Sequence, residues 1–451
     1  ALFVTHAHED HAGAVAHLWP RLRCPVYATP FTAAILRGKL AEAGLIHEVP
    51  LHEVPLGARV DAGPFRVDYV SLTHSIPEPN ALLIETPAGR VFHTGDWKLD
   101  PDPLVGLATD ADRLRSIGDQ GILAMVCDST NVFNLKASGS ELTVREGLTE
   151  AVKGHPGRIV ITTFASNIAR LGSIGAAAAS VDRHVCLVGR ALVRNFEAAR
   201  ALGYLADMPP IVSEEDAGYL PPDKVLYVAT GCQGEPRAAL WRIISGQHRN
   251  VVLEAGDLVI FSSKIIPGNE IAIGRMINEM ARNGVKVITE RDAFVHVSGH
   301  PGQEELRQMY EWIRPEIAIP VHGEPRHLLK HAELARDYGV PQVITAGNGA
   351  MVRLAPGPAE IVDWVETGRL ALDGIHLVPA DDEAIAERRR LMFNGYLGIA
   401  VAVDAQGILV AEPSLDMQGL PVADANAFAA DLRQTVTAAV ERFGPSSGRD
   451  T

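Results

Sequence analysis

Between Thr5 and Ala14 the chain reads THAHEDHAGA, which sets His6, His8, Asp10 and His11 within six positions, directly after the apolar run ALFV. So many ligand-type side chains suit neither a hydrophobic core nor an ordinary solvated face. In an extended stretch alternate residues share a side, so His6 and His8 can grip one cation together. Asp10 and His11, past the bend, then reach a second. The segment therefore demands a strand that ends on a turn at the rim of a sheet, and it points to a bound metal pair and to hydrolysis. The competing reading, a polar loop with histidines by chance, leaves the matched spacing unexplained.

A chain of 451 residues with 47% hydrophobic content has room for two or three domains with sizeable cores. No apolar run approaches the ~18 to 20 residues needed to span a bilayer, and no basic, hydrophobic leader opens it, so no membrane association is expected. Cys24, Cys127, Cys186 and Cys232 are scattered without a CxxC pair, which argues against a disulfide framework or a thiolate zinc site and predicts a cytoplasmic protein. Ala1 starts directly on a strand without Met, which reads as an N-terminally truncated chain with an unpaired sheet edge. The formal net charge of -14 argues against coating nucleic acid by bulk electrostatics. It does not exclude a nuclease, because bound cations bring positive charge to the place where a phosphodiester must sit.

The first part of the chain predicts strands with short connections, in ALFVTH, CPVYAT, ARVDAG, FRVDYVSLTH, ALLIETPAG, RVFHTGD and GILAMVCDST, with helices at His11 to Leu18 and Thr32 to Ala43. Several of these strands end on a histidine or aspartate, as expected where strand ends build a site. From about Gly157 strands and helices alternate, the signature of a parallel, doubly wound sheet. From Phe294 the histidine-bearing strand ends return in HVSGH and AIPVHGE. The expected architecture is a first domain split into residues 1–145 and 296–375, an α/β domain at 146–295 inserted between them, a linker at 376–395, and a partial α+β C-terminal domain at 396–451. The last is expected to hold a strand pair, YLGIAVAVDAQGILVAEP, turning at Gly407, then an amphipathic helix near Ala423 to Phe443 and a disordered tail, GPSSGRDT.

Beyond the opening motif, His74 in LTHSIPEPN, Asp96 in HTGDWKLDP and His322 in IPVHGEPRH each end an apolar strand, giving five histidines and two aspartates, enough for two ions sharing a carboxylate. Here the chain resembles the metallo-β-lactamase superfamily. CDST at Cys127 to Thr130, HVSGHPGQEEL containing His300, and PVHGE containing His322 narrow the resemblance to the β-CASP nucleases and, within them, to bacterial ribonuclease J. TTFASNIARL, TGCQGEPRAAL and IIPGNE are similar to that family at corresponding places. The resemblance implies a metallo-β-lactamase αββα sandwich with an inserted doubly wound β-CASP domain. It implies two Zn²⁺, or Mn²⁺, with His6, His8 and His74 holding one ion, Asp10, His11 and His322 the other, and Asp96 bridging both.

The implied reaction is hydrolysis of RNA by a hydroxide shared between the metals, with His300, oriented by Asp128, as proton donor and Asp10 positioning the water. The family also acts from the 5′ end on single-stranded RNA carrying a 5′ monophosphate, as well as endonucleolytically, in RNA processing and decay. The positions matching its phosphate pocket are Ala165, Ser166 and Asn167, and His296, Val297, Ser298, Gly299 and His300. A homodimer or homotetramer is implied for the full-length chain.

Each of these residues also has a plainer reading. His74 alone reads as a surface histidine, Asp96 as a turn residue, Asp128 and Asn167 as caps, His93 as locally bonded, and Glu304 and Glu305 as first-turn acids that favour a helix dipole. Arg237 is considered only as an RNA contact. Two other functions fit less well. The inserted domain and the SGH and PVHGE motifs weigh against a small-molecule hydrolase acting on a thioester or lactam, while DNA as substrate stays open, and a non-catalytic RNA-binding scaffold would require lost ligands, whereas all seven are present.

Overall fold

The periodicity of the apolar residues changes twice along the chain, and each change marks a different sheet in the computed structural model, which describes residues 1–442. A three-stranded parallel sheet joins Leu2–Phe3, Val26–Ala28 and Leu51–Glu53. Helices Val15–Leu22 and Pro30–Glu42 cover its outer face through Val15, Trp19, Ala33, Leu36 and Leu40. Its inner face meets a seven-stranded sheet, where Phe3 stacks on Tyr27 at 5.1 Å and Tyr69 donates its hydroxyl to the Tyr27 carbonyl. Helices Ala111–Asp119 and Gln303–Ile313 close the far side of the larger sheet, setting Leu114, Leu306 and Ile313 against Phe92 and Met125. Helix, two sheets and helix in that sequence are the αββα sandwich of the metallo-β-lactamase fold.

The seven strands lie in the order Gln342–Val343, Ile317–Val321, Ala124–Asp128, Gly89–His93, Asn80–Thr86, Phe65–Ser71, Arg59–Ala62. Ile317–Val321 therefore pairs in parallel with Ala124–Asp128, pairing Val321 with Asp128, although the chain between them folds elsewhere. That intervening chain builds a five-stranded parallel sheet in the order His184–Val188, Val225–Ala229, Ile159–Thr162, Leu258–Phe261, Lys286–Ile288. Its strands read as continuous apolar runs because both faces are buried. Ile159, Ile161, Leu226 and Val228 face one core, with helix Ile168–Ser180, while Val160, Tyr227 and Val259 face the other, with helix Glu270–Arg282. This is the inserted doubly wound domain.

The sequence expectations need several corrections. The first expected helix is two pieces, Glu9–Ala12 and Val15–Leu22, and helix Ala111–Asp119 and strand Leu51–Glu53 were not anticipated. A second compact unit begins at Glu366. In it, Leu370–Asp373 pairs with His376–Pro379, and helix Glu383–Asn394 follows. Gly407, at φ +82°, does turn the chain, and the Asp404 carboxylate accepts from the amides of Gln406 and Ile408. Ile408 to Val410 pair back onto Ala402 to Asp404 across that turn as expected, but the partner of Tyr396–Ala400 is Ser414–Gln418. Helix Ala425–Arg442 matches the expected amphipathic helix, whereas Phe443 and the GPSSGRDT tail lie outside the described residues.

Candidate metal centre

His6 and His8 lie on the extended stretch after Leu2–Phe3, and His8 is the residue at which the backbone turns into helix Glu9–Ala12. His6 Nε2 and His8 Nδ1 are 3.1 Å apart, and His74 Nε2 is 3.0 Å from the same His8 nitrogen. His8 Nδ1 carries either one N–H or one lone pair, so it cannot make a well-aligned hydrogen bond to both neighbours, whereas a cation between the three rings would accept a lone pair from each. The N to N edge of a tetrahedral zinc site is about 3.3 Å, so the donor set fits a divalent ion. Burial, reinforced by the neighbouring His8 and His74, holds His6 well below the usual imidazole range. Burial likewise brings His8 down to about 4, against the pull of Asp96, and His74 well below its ordinary value. All three are thus neutral near pH 7, the form that binds metal.

Neighbouring groups fix the orientation of these rings. His74 Nδ1–H donates to the Gly299 carbonyl at 2.5 Å, which leaves Nε2 as the free lone pair, and His6 Nδ1 meets the Thr5 hydroxyl at 3.0 Å. A Cβ on Gly299 would come within 2.8 Å of His74 Cε1, so glycine is required there by close approach. Gly95, at φ +58°, makes the turn that presents Asp96.

Asp96 is 3% exposed, and its Oδ2 lies 3.2 Å from both His11 Nε2 and His322 Nε2, 3.7 Å from His6 Nε2 and 3.9 Å from His74 Nε2. Burial would raise its pKa, but the hydrogen bonds from His11 and His322 overcome it and hold the carboxyl far below the usual range. Asp10 Oδ2 lies 3.6 Å from His11 Nε2 and 3.7 Å from His322 Nε2. Two ligand groups share Asp96, His6, His8, His74 and Asp96, and Asp10, His11, Asp96 and His322, while Asp128, His300 and His322 form a third group of possible ligands beside them. The seven residues singled out in the sequence converge on one place.

His300 adjoins this cluster. Its Nδ1 is 2.7 Å from Asp128 Oδ2 and 4.0 Å from Asp96 Oδ2, and its ring centroid is 5.0 Å from that of His74. Burial alone would lower its pKa, yet the Asp128 carboxylate raises it. His322 is pushed up to about 9, chiefly by its hydrogen bond to Asp96. Its backbone sits at φ +59°, a left-handed conformation that costs a residue with a side chain about 1–2 kcal/mol.

The two segments of the expected phosphate pocket meet around a residue the sequence reading passed over. Arg170 is fully buried and donates Nη1 to Ser262 O, Ser262 Oγ and Val295 O, while Nε and Nη2 clasp the Glu141 carboxylate at 3.0 and 2.9 Å. It thereby ties the helix that follows Ala165, Ser166 and Asn167 to the loop that carries His296, Val297 and Ser298. Asn167 is the cap of that helix, its Oδ1 accepting from the Arg170 amide. Ser298 Oγ accepts from the His300 amide, and Val297 is buried against Gly139. Burial lowers the His296 pKa well below its usual value, and Arg170, Lys264 and Lys98 add to the effect.

Two more plain readings are settled by contacts. His93 Nδ1 accepts from the Gly95 amide, a local bond as expected. Glu305 does sit in the first turn of Gln303–Ile313, but it is buried and accepts from the amides of Leu99, Ser138 and Gly302 and the Ser138 hydroxyl. Its role is to anchor loops, beyond any dipole effect. Arg237 is exposed.

Comparison with known proteins agrees with this architecture. Family models match residues 1–115 (beta-lactamase superfamily domain), 156–280 (ribonuclease J, beta-CASP domain) and 284–345 (Zn-dependent metallo-hydrolase RNA specificity domain). Ribonuclease J of Sinorhizobium meliloti is 45% identical over all of this chain and 80% of its own length. The chain belongs to the ribonuclease J family. Ribonuclease J of Mycolicibacterium smegmatis is 41% identical over 89% of this chain and 72% of its own. That of Corynebacterium glutamicum is 41% identical over 93% of this chain and 59% of its own. A crystal structure of a protein of unknown function from Enterococcus faecalis V583 shares the fold, with TM-score 0.52 at 15% identity over 76% of this chain and 79% of that one. As a ribonuclease J family member, the chain is a metal-dependent hydrolase acting on RNA. Among the described residues, no helix is long and apolar enough to cross a membrane.

Proposed function

We propose that this protein is a zinc-dependent endoribonuclease and 5′→3′ exoribonuclease of RNA processing and decay, working in the cytoplasm, with Mn²⁺ as the alternative ion. The observation that carries the reading is the single Asp96 oxygen within 3.2 to 3.9 Å of nitrogens from four histidines. In this reading His6, His8 and His74 hold one ion, Asp10, His11 and His322 a second, and Asp96 bridges them. Bound cations supply positive charge to the phosphodiester and acidity to the attacking water. Asp10 orients that water from the open side of the cluster. His300, whose pKa the Asp128 carboxylate raises, gives its proton to the departing 3′ oxygen, so the products carry 5′ phosphate and 3′ hydroxyl ends.

The 5′ monophosphate of single-stranded RNA is read by Ala165, Ser166, Asn167 and His296 to His300. Supporting this is the meeting of the two segments at Arg170, which follows Asn167 on its helix, donates to the Val295 carbonyl and lies 3.4 Å from His296 Nδ1. The same reading keeps residues 1–145 and 296–365 as the lactamase-like domain and 146–295 as the insertion, gives the chain from Glu366 to a partial C-terminal domain, and takes the full-length assembly as a homodimer or homotetramer.

The test is cleavage of end-labelled RNA by metal-replete protein with Zn²⁺ or Mn²⁺, the RNA bearing a 5′ monophosphate or triphosphate, beside a matched DNA. Mononucleotide release from the monophosphate alone, with internal cuts in both RNAs and intact DNA, is expected. No RNA cleavage by the replete protein overturns the proposal, and indifference to the 5′ end overturns the phosphate pocket.

A further inference from the structure

Three consecutive residues at the end of strand Ala124–Asp128 divide their contacts among three targets. The Asp128 carboxylate takes His300. Ser129 Oγ lies 2.8 Å from His331 Nδ1, and His331 Nε2 lies 3.0 Å from the Tyr310 hydroxyl, all buried. Thr130 turns the other way, to the backbone of the His322 turn. Its hydroxyl donates to the His322 carbonyl at 2.9 Å, and its own amide donates to Asp128 Oδ1 at 2.9 Å. Among the described residues, Thr130 supplies the hydrogen bond to that carbonyl.

The bond matters because of the backbone it grips. His322 follows directly on strand Ile317–Val321 and leaves it at φ +59°, which carries its Nε2 to 3.2 Å from Asp96 and 3.7 Å from Asp10. Left to itself a histidine prefers the right-handed or extended regions, and either would swing the ring elsewhere. The next residue is tightly held too, since a Cβ on Gly323 would fall 2.8 Å from His327 Cβ and 3.5 Å from Ser129 Cβ. The parallel pairing of Val321 with Asp128 brings the two strand ends side by side, so a hydroxyl two residues beyond Asp128 reaches the carbonyl one residue beyond Val321.

We infer that Thr130 is a positioning residue which, through its hydroxyl, holds His322 in the left-handed conformation and so completes the second ligand group of Asp10, His11, Asp96 and His322, leaving the first untouched. This rests on the two-ion reading above. Thr130 is exposed, so valine, of the same shape without the hydroxyl, is accommodated there.

The test is titration of the metal-stripped full chain with Zn²⁺ against a chromophoric chelator, for the unmodified protein, Thr130→Val and Thr130→Ser, with thermal melts of each. Two ions should bind the unmodified protein. Thr130→Val should bind one at unchanged affinity and the other about tenfold more weakly, the equivalent of about 1.4 kcal/mol, and Thr130→Ser should restore it. Two unchanged affinities in a folded Thr130→Val overturn the inference while leaving the two-ion reading intact. Equal weakening of both ions also overturns it, as a general loss of structure. Should the valine variant melt before titration, Thr130→Ala replaces it under the same criteria. Fewer than two ions on the unmodified protein overturns the two-ion reading itself, and this inference with it.

Discussion

The two ligand groups that share Asp96 are built differently. His6 is fully buried and His74 nearly so, and each ring is oriented by a neighbouring hydroxyl or carbonyl, so the first group is preorganised and already neutral. In the second, the Asp10 side chain is 58% exposed and that of His322 32%, and His322 reaches the cluster through a strained backbone. Burial secures the first group; charge and one turn hold the second. The difference teaches that one cluster of like side chains can present a tight site and an adjustable one, because desolvation lowers an imidazole pKa whereas an adjacent carboxylate raises it.

The most severe way to break this contrast is Asp96→Ala, which removes the common ligand. Both ions should be lost and RNA cleavage should fall by more than about a thousandfold, whereas His8→Ala should abolish cleavage while sparing the second group's ligands. Elemental analysis beside activity separates the two, and retention of both ions by Asp96→Ala would break the bridge. A smaller loss is expected from His300→Ala, which should retain its metal yet cut about 10²- to 10⁴-fold more slowly. Normal turnover in that variant would remove the proposed acid.

A third measurement sharpens the comparison through pH. His322, raised to about 9 by Asp96, is protonated at pH 7 in the metal-free protein, so a cation must displace a proton there. Affinity of the second group for Mn²⁺ should therefore rise from pH 7 towards 9, by up to about tenfold per unit, and then level. The first group, with His8 near 4 and His6 and His74 also low, should bind with little change over that range. Identical slopes in titrations at pH 7, 8 and 9 would erase the distinction. The smallest effect belongs to Tyr310→Phe, which takes the hydroxyl from buried His331 and should cost about 1 kcal/mol in denaturant unfolding, with both affinities preserved.

Much of the centre was legible before any coordinates. His6 and His8 are two apart on an extended stretch, and strand ends at His74, Asp96 and His322 announce themselves by an apolar run stopping at a ligand-type residue. Asp128 and His300 were paired through the family resemblance, 172 positions apart. Roles set by partners elsewhere in the chain were harder to read, even inside the motifs TTFASNIARL and HVSGHPGQEEL. Arg170 looks like any arginine on a helix until Glu141, Ser262 and Val295 surround it. Glu305 has the spacing of a helix-dipole acid, and nothing local separates that role from three buried amides. The Ser414–Gln418 strand was missed for a related reason, since ILVAEP offers the stronger apolar run and register is decided by pairing.

Sequence alone therefore determined the ligand chemistry, the alternation that makes the inserted sheet parallel and buried on both faces, and the family. Those properties follow from residue type and short-range periodicity, which the chain carries wherever it folds. Only the tertiary structure decided which carboxylate oxygen the histidines share, which rings burial keeps neutral, and which backbone turn presents His322. These depend on desolvation and on contacts between segments far apart in the chain, and neither exists until the two sheets close.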